Sequence, residues 1–561
     1  MRPDGRDRYA SLYFDYPKFD VFEASELHGE PTTAKVAIIG AGPVGLVAAL
    51  ELARHGVASV LLDDKTTVND GSRALCLARH SMETLQQLGL AEKFLSAALG
   101  WTSGRSYYKS EEVFRLHMPH SAHERFMPMY NLQQQYIEQY LAQAARATGL
   151  VEMRWGNAVT RASVVDGKAH LEVSSAHGDY TLTTPYCIAA DGARSVVRRD
   201  LGLRLNGDAY EGKYVIADIR IESSFPTERR AFFDPAVNPG ATLLVHKQPH
   251  GIWRIDWQLQ PGESEQEVLA EPAMRKKITA ILAMLGETEP WELEWWGVYK
   301  AYTLCLDDYR HGPYFFSGDA AHLVPIFGVR GLNSGIADSG NIAWKLACVL
   351  NSDAPDALLD SYSPERRGAT MEVFENASKS TAFMTPPTRG FRLMRDAVLS
   401  LSLRHSFAKP FLNPRQSTPY TYADSDLSTQ GVQLSEWSSG PEAGAPLINH
   451  NLSDGSYLLD HLPHGFCLLA FVGRDQGATL TTDLRTLSAQ YNSSIEVLCI
   501  CRDGSAEAAI IDADGTLFQR YGASEGSVYL VRPDRHVVAR WLEVDISNAE
   551  EALLGALART V

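Results

Sequence analysis

The segment AKVAIIGAGPVGLVAALELARHGVASVLLDD, residues 34–64, limits what this chain can fold into more than any other stretch. An apolar β-branched run, a glycine turn, apolar residues at helical spacing and a second apolar run read as strand, tight turn, helix and strand. Gly40-Ala41-Gly42-Pro43-Val44-Gly45 fits the G-x-G-x-x-G pattern in that context. The glycines allow a tight turn, close approach of backbone to a pyrophosphate and helix–strand packing, and the helix N-terminus then faces the anion. An acid at the end of the second strand, about 20 residues on, would bond adenosine ribose hydroxyls. Asp63 and Asp64 both stand there. The hexapeptide alone is weak, but with its flanks it predicts a dinucleotide site without choosing between NAD and FAD.

A chain of 561 residues is long enough for roughly three to four domains. Its 52 Lys and Arg against 68 Asp and Glu give a net charge of −16. That field repels phosphate backbones and anionic lipid, so nucleic acid and membrane are not expected partners. Seven cysteines form an odd set with no Cys-x-x-Cys spacing, and the N-terminus has no apolar signal core. A reduced, cytoplasmic protein is expected, with no metal site.

Residues 1–33 read as an irregular arm. Alternating stretches such as YVIADIRIES and GIWRIDWQLQ, within 204–300, predict an antiparallel sheet inserted among α/β segments. A discontinuous dinucleotide domain then covers 34–203 and 301–375, with pieces near 100–130 contributing to the insert. Residues 376–440 read as a helical connection and linker, with a boundary near 420–445. In 441–561, strand, helix, strand, hairpin and helix follow one another in a thioredoxin-like order, without the paired cysteines thioredoxin chemistry needs. The fold class is α/β (α+β, multidomain).

Two further motifs narrow the cofactor. In YCIAADGARSVVRRDLG a strand ends at Asp191-Gly192 and a helix starts near Ser195; in YFFSGDAAHLVPIFGVRGLNSGIADSGNIAWKL a strand ends at Gly318-Asp319 and Gly331-Leu332-Asn333 opens a helix. The three motifs in this order, with DSYSPERR at 360–367, resemble the single-component FAD-dependent aromatic hydroxylases, in the phenol hydroxylase and hydroxyphenylpropionate hydroxylase-like branch. The resemblance implies a Rossmann-type FAD domain and FAD bound by Gly40, Gly42, Pro43, Val44 and Gly45, with Asp63 or Asp64 on the ribose. It further implies that Arg73 lies near flavin and pyrophosphate and that Gln134, one of three successive glutamines, contacts the flavin. Gly318 and Asp319 would bind the ribityl and pyrophosphate region. Pro325 would line the reactive face, Gly331, Leu332 and Asn333 would present helix amides to the ring system, and Asp191 would serve both FAD and nicotinamide. No second glycine fingerprint is visible, which fits a nicotinamide bound transiently in a groove.

By the same resemblance NADH or NADPH reduces FAD, a flavin C4a-hydroperoxide forms with O2, and a phenolic ring is hydroxylated, with or without release of a substituent such as nitro. A homodimer is also implied. Tyr210, His246, Arg254 and Asp256 are the polar candidates on the substrate sheet. Alternation puts Arg254 and Asp256 on one strand face and Trp253, Ile255 and Trp257 on the other. Tyr210, His246 and Pro325 are the catalytic candidates, although a structural histidine also accounts for His246. His322 is expected to support the flavin motif. Arg73, Arg194, Arg198 and Arg330 would form a basic cofactor site within an acidic shell. The alternatives are a hydroxylase of a non-phenolic compound such as an antibiotic, and a non-catalytic FAD-binding scaffold.

Overall fold

The computed structural model describes residues 1–561 except 72, 261, 326–327, 413–417, 430–436, 474–476, 492–494, 503–509 and 560–561, and the side chains of 209–211, 301 and 477 also lie outside the described set. Strand Val36–Ile39 sits within a six-stranded sheet ordered 310–311, 314–316, 186–189, 36–39, 59–63, 151–155. Its two neighbours pair with it in parallel, and the edge strand Arg310–His311 is antiparallel. Val36, Ala37 and Ile38 are fully buried, as a parallel strand covered on both faces requires. The helix Pro43–Arg54 packs against helices Gln134–Ala147 and Gly331–Leu350. Contact with the latter is close: a Cβ at Gly335 would lie 2.5 Å from Val44 Cγ2, and Ser339 Oγ donates to the Val44 carbonyl at 2.8 Å.

A second sheet has eight strands in the order 322–323, 291–305, 206–221, 252–258, 242–247, 229–233, 103–108, 111–117. Only the pairing of 229–233 with 103–108 is parallel. Alternation along Ile252–Gln258 divides its faces. Trp253, Ile255 and Trp257 pack with Val215 and Leu243 against Met274, Ile278 and Ile281 of the helix Glu271–Leu285. Arg254 and Asp256 are left on the opposite face, which fronts the first sheet.

The arm is irregular apart from a 3-10 turn at Ser25–His28. Glu294, 1% exposed, holds it to the insert by accepting hydrogen bonds from Arg2, Arg6, the Ser11 hydroxyl and the Leu12 amide.

The C-terminal sheet runs 510–511, 495–501, 466–472, 528–531, 537–541, parallel over the first three strands and antiparallel over the last two pairings. Helices Gly477–Ala489 and Ile546–Ala556 share its core, as do Cys499, Cys501 and Trp344 of the Gly331–Leu350 helix. All seven cysteines are unpaired. The tail is joined to the first domain by charge as well as by Trp344. Arg532 donates to both oxygens of Glu365, at 2.6 and 3.0 Å, and to Asp534 at 2.7 Å. Lys345 Nζ reaches Glu365 at 2.7 Å. Tyr422 and Ser425 are packed into this junction through Arg366 and Glu365, so the stretch expected to be a boundary near 420–445 begins with residues that are part of it. Among the described residues, no helix is long and apolar enough to cross a membrane.

Candidate active site

The two large sheets enclose a cleft of about 990 Å³, at the top of the ~300–1,000 Å³ span of small-molecule sites. One wall is the glycine turn. Gly40 has φ +102°, and a Cβ there would lie 2.5 Å from the Ala190 carbonyl oxygen; at Gly45 it would lie 2.0 Å from the Gly40 carbonyl oxygen. At Gly42 it would meet nothing within 4 Å. Packing within the chain therefore explains two of the glycines, while the third keeps space free for a group approaching the backbone. Gly42 caps the helix, Pro43 occupies its first turn where no N–H is needed, and Val44 lines the cleft beside them. Asp63 accepts from the Ala41 amide at 2.7 Å and the Lys65 amide at 2.9 Å, and Lys65 Nζ lies 2.8 Å away. Burial pushes its pKa up while Lys65 opposes the shift. Asp64 is mostly exposed and reaches only Lys65, at 3.7 Å. Asp63 is thus the acid fixed at the turn.

Opposite the fingerprint helix, Asp319 opens its carboxylate onto the cleft and, among the described residues, accepts no hydrogen bond. The surrounding chain pushes its pKa up against the charges of His322, Arg73 and Arg198. Gly318 has φ +59° and leaves room for Val44, whose Cγ2 would lie 3.0 Å from a Cβ. His322, fully buried, is 2.7 Å from Asp338, which also accepts from the Gly318 amide at 3.0 Å and from Arg366 at 2.7 Å. Burial works against the Asp338 charge, but His322 and Arg366 outweigh it and hold the pKa at about 2. His322 therefore braces the Gly-Asp motif.

Pro325, Gly331 and Leu332 line the cleft where the helix Gly331–Leu350 begins. First-turn amides of a helix lack partners within it. The Asn333 side chain is committed to the protein: its oxygen accepts from the Ala78 amide and the Ser81 hydroxyl, and its nitrogen donates to the carbonyls of Cys76 and Val329. Asn333 so pins the helix start in place. Val329 beside it has φ +60°, a strained conformation for a β-branched residue.

Among the three glutamines, Gln134 lines the cleft, accepting from the Ala74 amide at 3.0 Å and donating to Glu138 at 2.7 Å. Gln133 and Gln135 turn to the Pro249 carbonyl and the Tyr13 hydroxyl. Asp191 accepts from the Val196 amide at 2.7 Å at the start of the helix Val196–Asp200, and its other oxygen has no partner. The expected cluster of four arginines divides. Arg73 and Arg194 are exposed at the cleft. Arg198 instead donates to the carbonyls of Ala320 and Ala193, whereas Arg330 lines the cleft and also donates to the Val373 carbonyl within the helix Tyr362–Met384.

The other wall is the free face of the insert. Strand register sets Arg229, His246, Arg254 and Asp218 side by side on four adjacent strands, with Asp256 two residues beyond Arg254. Arg254 is neutralised by Asp218 through bonds of 2.9 and 3.1 Å and also donates to the Arg73 carbonyl. His246 Nε2 lies 4.0 Å from Asp256, and both are buried with one polar atom unpartnered, Nδ1 and Oδ1. Burial and the charges of Arg229 and Arg254 hold the His246 pKa well below its usual value. Burial lifts Asp256 to about 7, with Arg254 and Arg229 opposing and Asp218 adding to the rise. The carboxylate is the stronger base of this pair. The side chain of Tyr210 lies outside the described residues. Arg229 is the cleft residue the sequence did not suggest: it sits in TERRAFF beside Arg230, which turns to Glu228, and only strand register separates the two.

The chain matches the family model described as "FAD binding domain" over residues 33–377. It is 25% identical over 541 residues to the "3-(3-hydroxy-phenyl)propionate/3-hydroxycinnamic acid hydroxylase" of Mycobacterium sp. (strain JLS), covering 94% of this chain and 93% of the relative. Its fold is similar to that of the flavin-dependent monooxygenase PieE, solved with FAD and substrate, with TM-score 0.80, 22% identity and coverage of 95% of this chain and 100% of that one. Aklavinone-11 hydroxylase, solved with FAD and aklavinone, gives TM-score 0.74, 21% identity and coverage of 94% and 100%.

Proposed function

The chain belongs to the family built on this FAD binding domain, and from that membership and the shape of the cleft we propose that it is a flavin-dependent monooxygenase hydroxylating a phenolic aromatic compound with NADH or NADPH and O2. One observation carries the reading: an open glycine turn and a helix start face, across one cleft, a buried row of polar side chains in which burial lifts the Asp256 carboxyl to about 7. The open space at Gly42 and the unpartnered Asp319 carboxylate suit the cofactor's pyrophosphate and polyol. When bound, FAD supplies the activation of oxygen.

The chain's residues bind, orient and move protons. The first turn of Pro43–Arg54 receives the pyrophosphate, Asp63 the ribose and Asp319 the ribityl chain. The start of Gly331–Leu350 stabilises negative charge on the ring system. On the far wall, Asp256 takes the phenolic proton, since a pKa of about 7 matches a base working near neutral pH. The phenolate so formed is the better carbon nucleophile. His246, kept uncharged, stands next to it, and the Arg254–Asp218 pair shapes the pocket without adding net charge.

The name of the mycobacterial relative supports a phenolic ring. Exposed Phe391, Leu393, Phe407 and Phe411 support a homodimer, and the unpaired cysteines support a cytoplasmic location. The test is a panel of phenols added to FAD-loaded protein, following NADH and NADPH oxidation, oxygen uptake and a product one oxygen atom heavier. Absence of stimulation by every phenol refutes the reading.

A further inference from the structure

The loop between the strands Ser59–Asp63 and Cys76–Ala78 lines the cleft with Asn69 and Arg73. Both walls hold it from the inside. Glu138 accepts from the Asn69 amide and side chain at 2.7 and 2.6 Å, Gln134 accepts from the Ala74 amide, and Arg254 of the insert donates to the Arg73 carbonyl at 2.9 Å. Gly71, between these ties, has φ +73°, and a Cβ there would lie 2.4 Å from the indole nitrogen of Trp295. The loop therefore rests directly on a cleft-lining ring of the insert. The buried Gly71 amide turns outward and donates to the Tyr16 hydroxyl of the N-terminal arm at 3.2 Å.

Tyr16 joins three parts of the molecule at one oxygen. Its hydroxyl also accepts from Arg2 at 3.0 Å and from Gln135 of the helix Gln134–Ala147 at 3.3 Å. Another nitrogen of the same Arg2 donates to Glu294, the residue before Trp295. The arm continues over the loop, with the Phe19 amide on the Thr66 carbonyl at 2.8 Å, and reaches the first sheet through the Phe22 amide and the Trp155 carbonyl at 3.0 Å. Arg8 also meets Asp70 of the loop, but 69% of its side chain is exposed, and such ion pairs hold little. We propose that Tyr16 and Arg2 are positioning residues for hydroxylation, holding the Arg73 loop down on Trp295 so that water stays out of the cleft between its cofactor wall and its substrate wall. The proposal rests on the hydroxylase reading. In a closed cleft one NADH or NADPH and one O2 give one hydroxylated ring and one water; in an open cleft the same two electrons leave on O2 as hydrogen peroxide and the ring is unchanged.

The test measures hydrogen peroxide and hydroxylated product together, in FAD-loaded enzyme with a phenol that stimulates it. Tyr16→Phe removes only the accepting oxygen. Loss of one hydrogen bond to a buried amide corresponds to about 5-fold, so the peroxide-to-product ratio should rise by about that factor while FAD content and the rate of NADH or NADPH oxidation are kept. A merely structural role would lower rate and flavin content together and leave the ratio alone. Arg2→Met should act in the same direction, and Arg2→Lys should restore part of the coupling. Arg8→Ala should stay within about 2-fold of the wild-type ratio. An unchanged ratio in Tyr16→Phe, or an equal rise in Arg8→Ala, overturns the proposal. If no phenol is hydroxylated, the hydroxylase reading fails separately, and the clamp is judged by hydrogen exchange of the FAD-loaded protein: faster exchange over 66–75 in Tyr16→Phe than in wild type supports it, and equal exchange overturns it.

Discussion

Asp256→Asn should make the substrate-free protein more stable at alkaline pH while slowing hydroxylation. Asp256 is buried and its carboxyl is raised from 3.8 to about 7. A raised carboxyl holds its proton more tightly in the folded chain than in the unfolded one. Stability from this group is therefore greatest below the unfolded value, falls as pH rises through the window between 3.8 and about 7, and stays low above it. Three units correspond to about 4 kcal/mol, a bound that already contains the opposing pull of Arg254 and Arg229. Asparagine is neutral throughout, so the advantage of the variant should be small near pH ~4 and approach that bound near pH ~8. Thermal midpoints of wild type and variant across this range measure it, and the midpoint difference should widen with pH. A pH-independent difference would refute the raised pKa and remove the reason for choosing Asp256 as the base. With a phenolic substrate, the variant should lose about 10²- to 10⁴-fold in the rate of product formation while flavin content is unchanged.

The glycine turn yields a paired expectation. Gly45→Ala puts a methyl group 2.0 Å from a backbone oxygen and should lower the thermal midpoint even without cofactor. Gly42→Ala meets nothing in the chain, so it should keep the cofactor-free midpoint and lose FAD affinity, read by flavin fluorescence titration; unaltered affinity would contradict the pyrophosphate placement. Asp319→Ala should purify with little flavin, and stoichiometric retention would count against its role. Arg532→Met leaves Glu365 buried with one countercharge fewer, a loss of about 3–5 kcal/mol visible as earlier melting. Because Glu365 adjoins Arg366 and hence Asp338 and His322, FAD affinity should fall as well.

Much of the FAD half is legible in the sequence because its contacts are encoded in consecutive residues: the glycine turn, the acid after the second strand and the helix starts at Ser195 and Gly331. The alternation that separates Arg254 and Asp256 from the tryptophans is legible for the same reason. The row Arg229–His246–Arg254–Asp218 is not, since it depends on register between strands far apart in the chain, some carrying bulges. Nor does sequence rank Asp256 above His246 as a base. That order arises from burial, which raises a carboxyl and lowers an imidazole. The split among the four arginines likewise depends on which backbone carbonyls the folded chain brings within their reach, and the choice of Gln134 depends on the direction each of three glutamines takes from its helix.

The bond between Arg532 and Glu365 also sets an order of events during synthesis. The glycine turn leaves the ribosome long before Arg532, and the brace beneath the Gly-Asp motif adjoins a carboxylate whose arginine partner lies 167 residues further along the chain. A nascent chain thus carries its flavin-binding sequences long before it has the countercharge that steadies them. Durable cofactor loading waits for Arg532, and a chain stopped short of it would hold the dinucleotide fingerprint without a firm grip on the flavin.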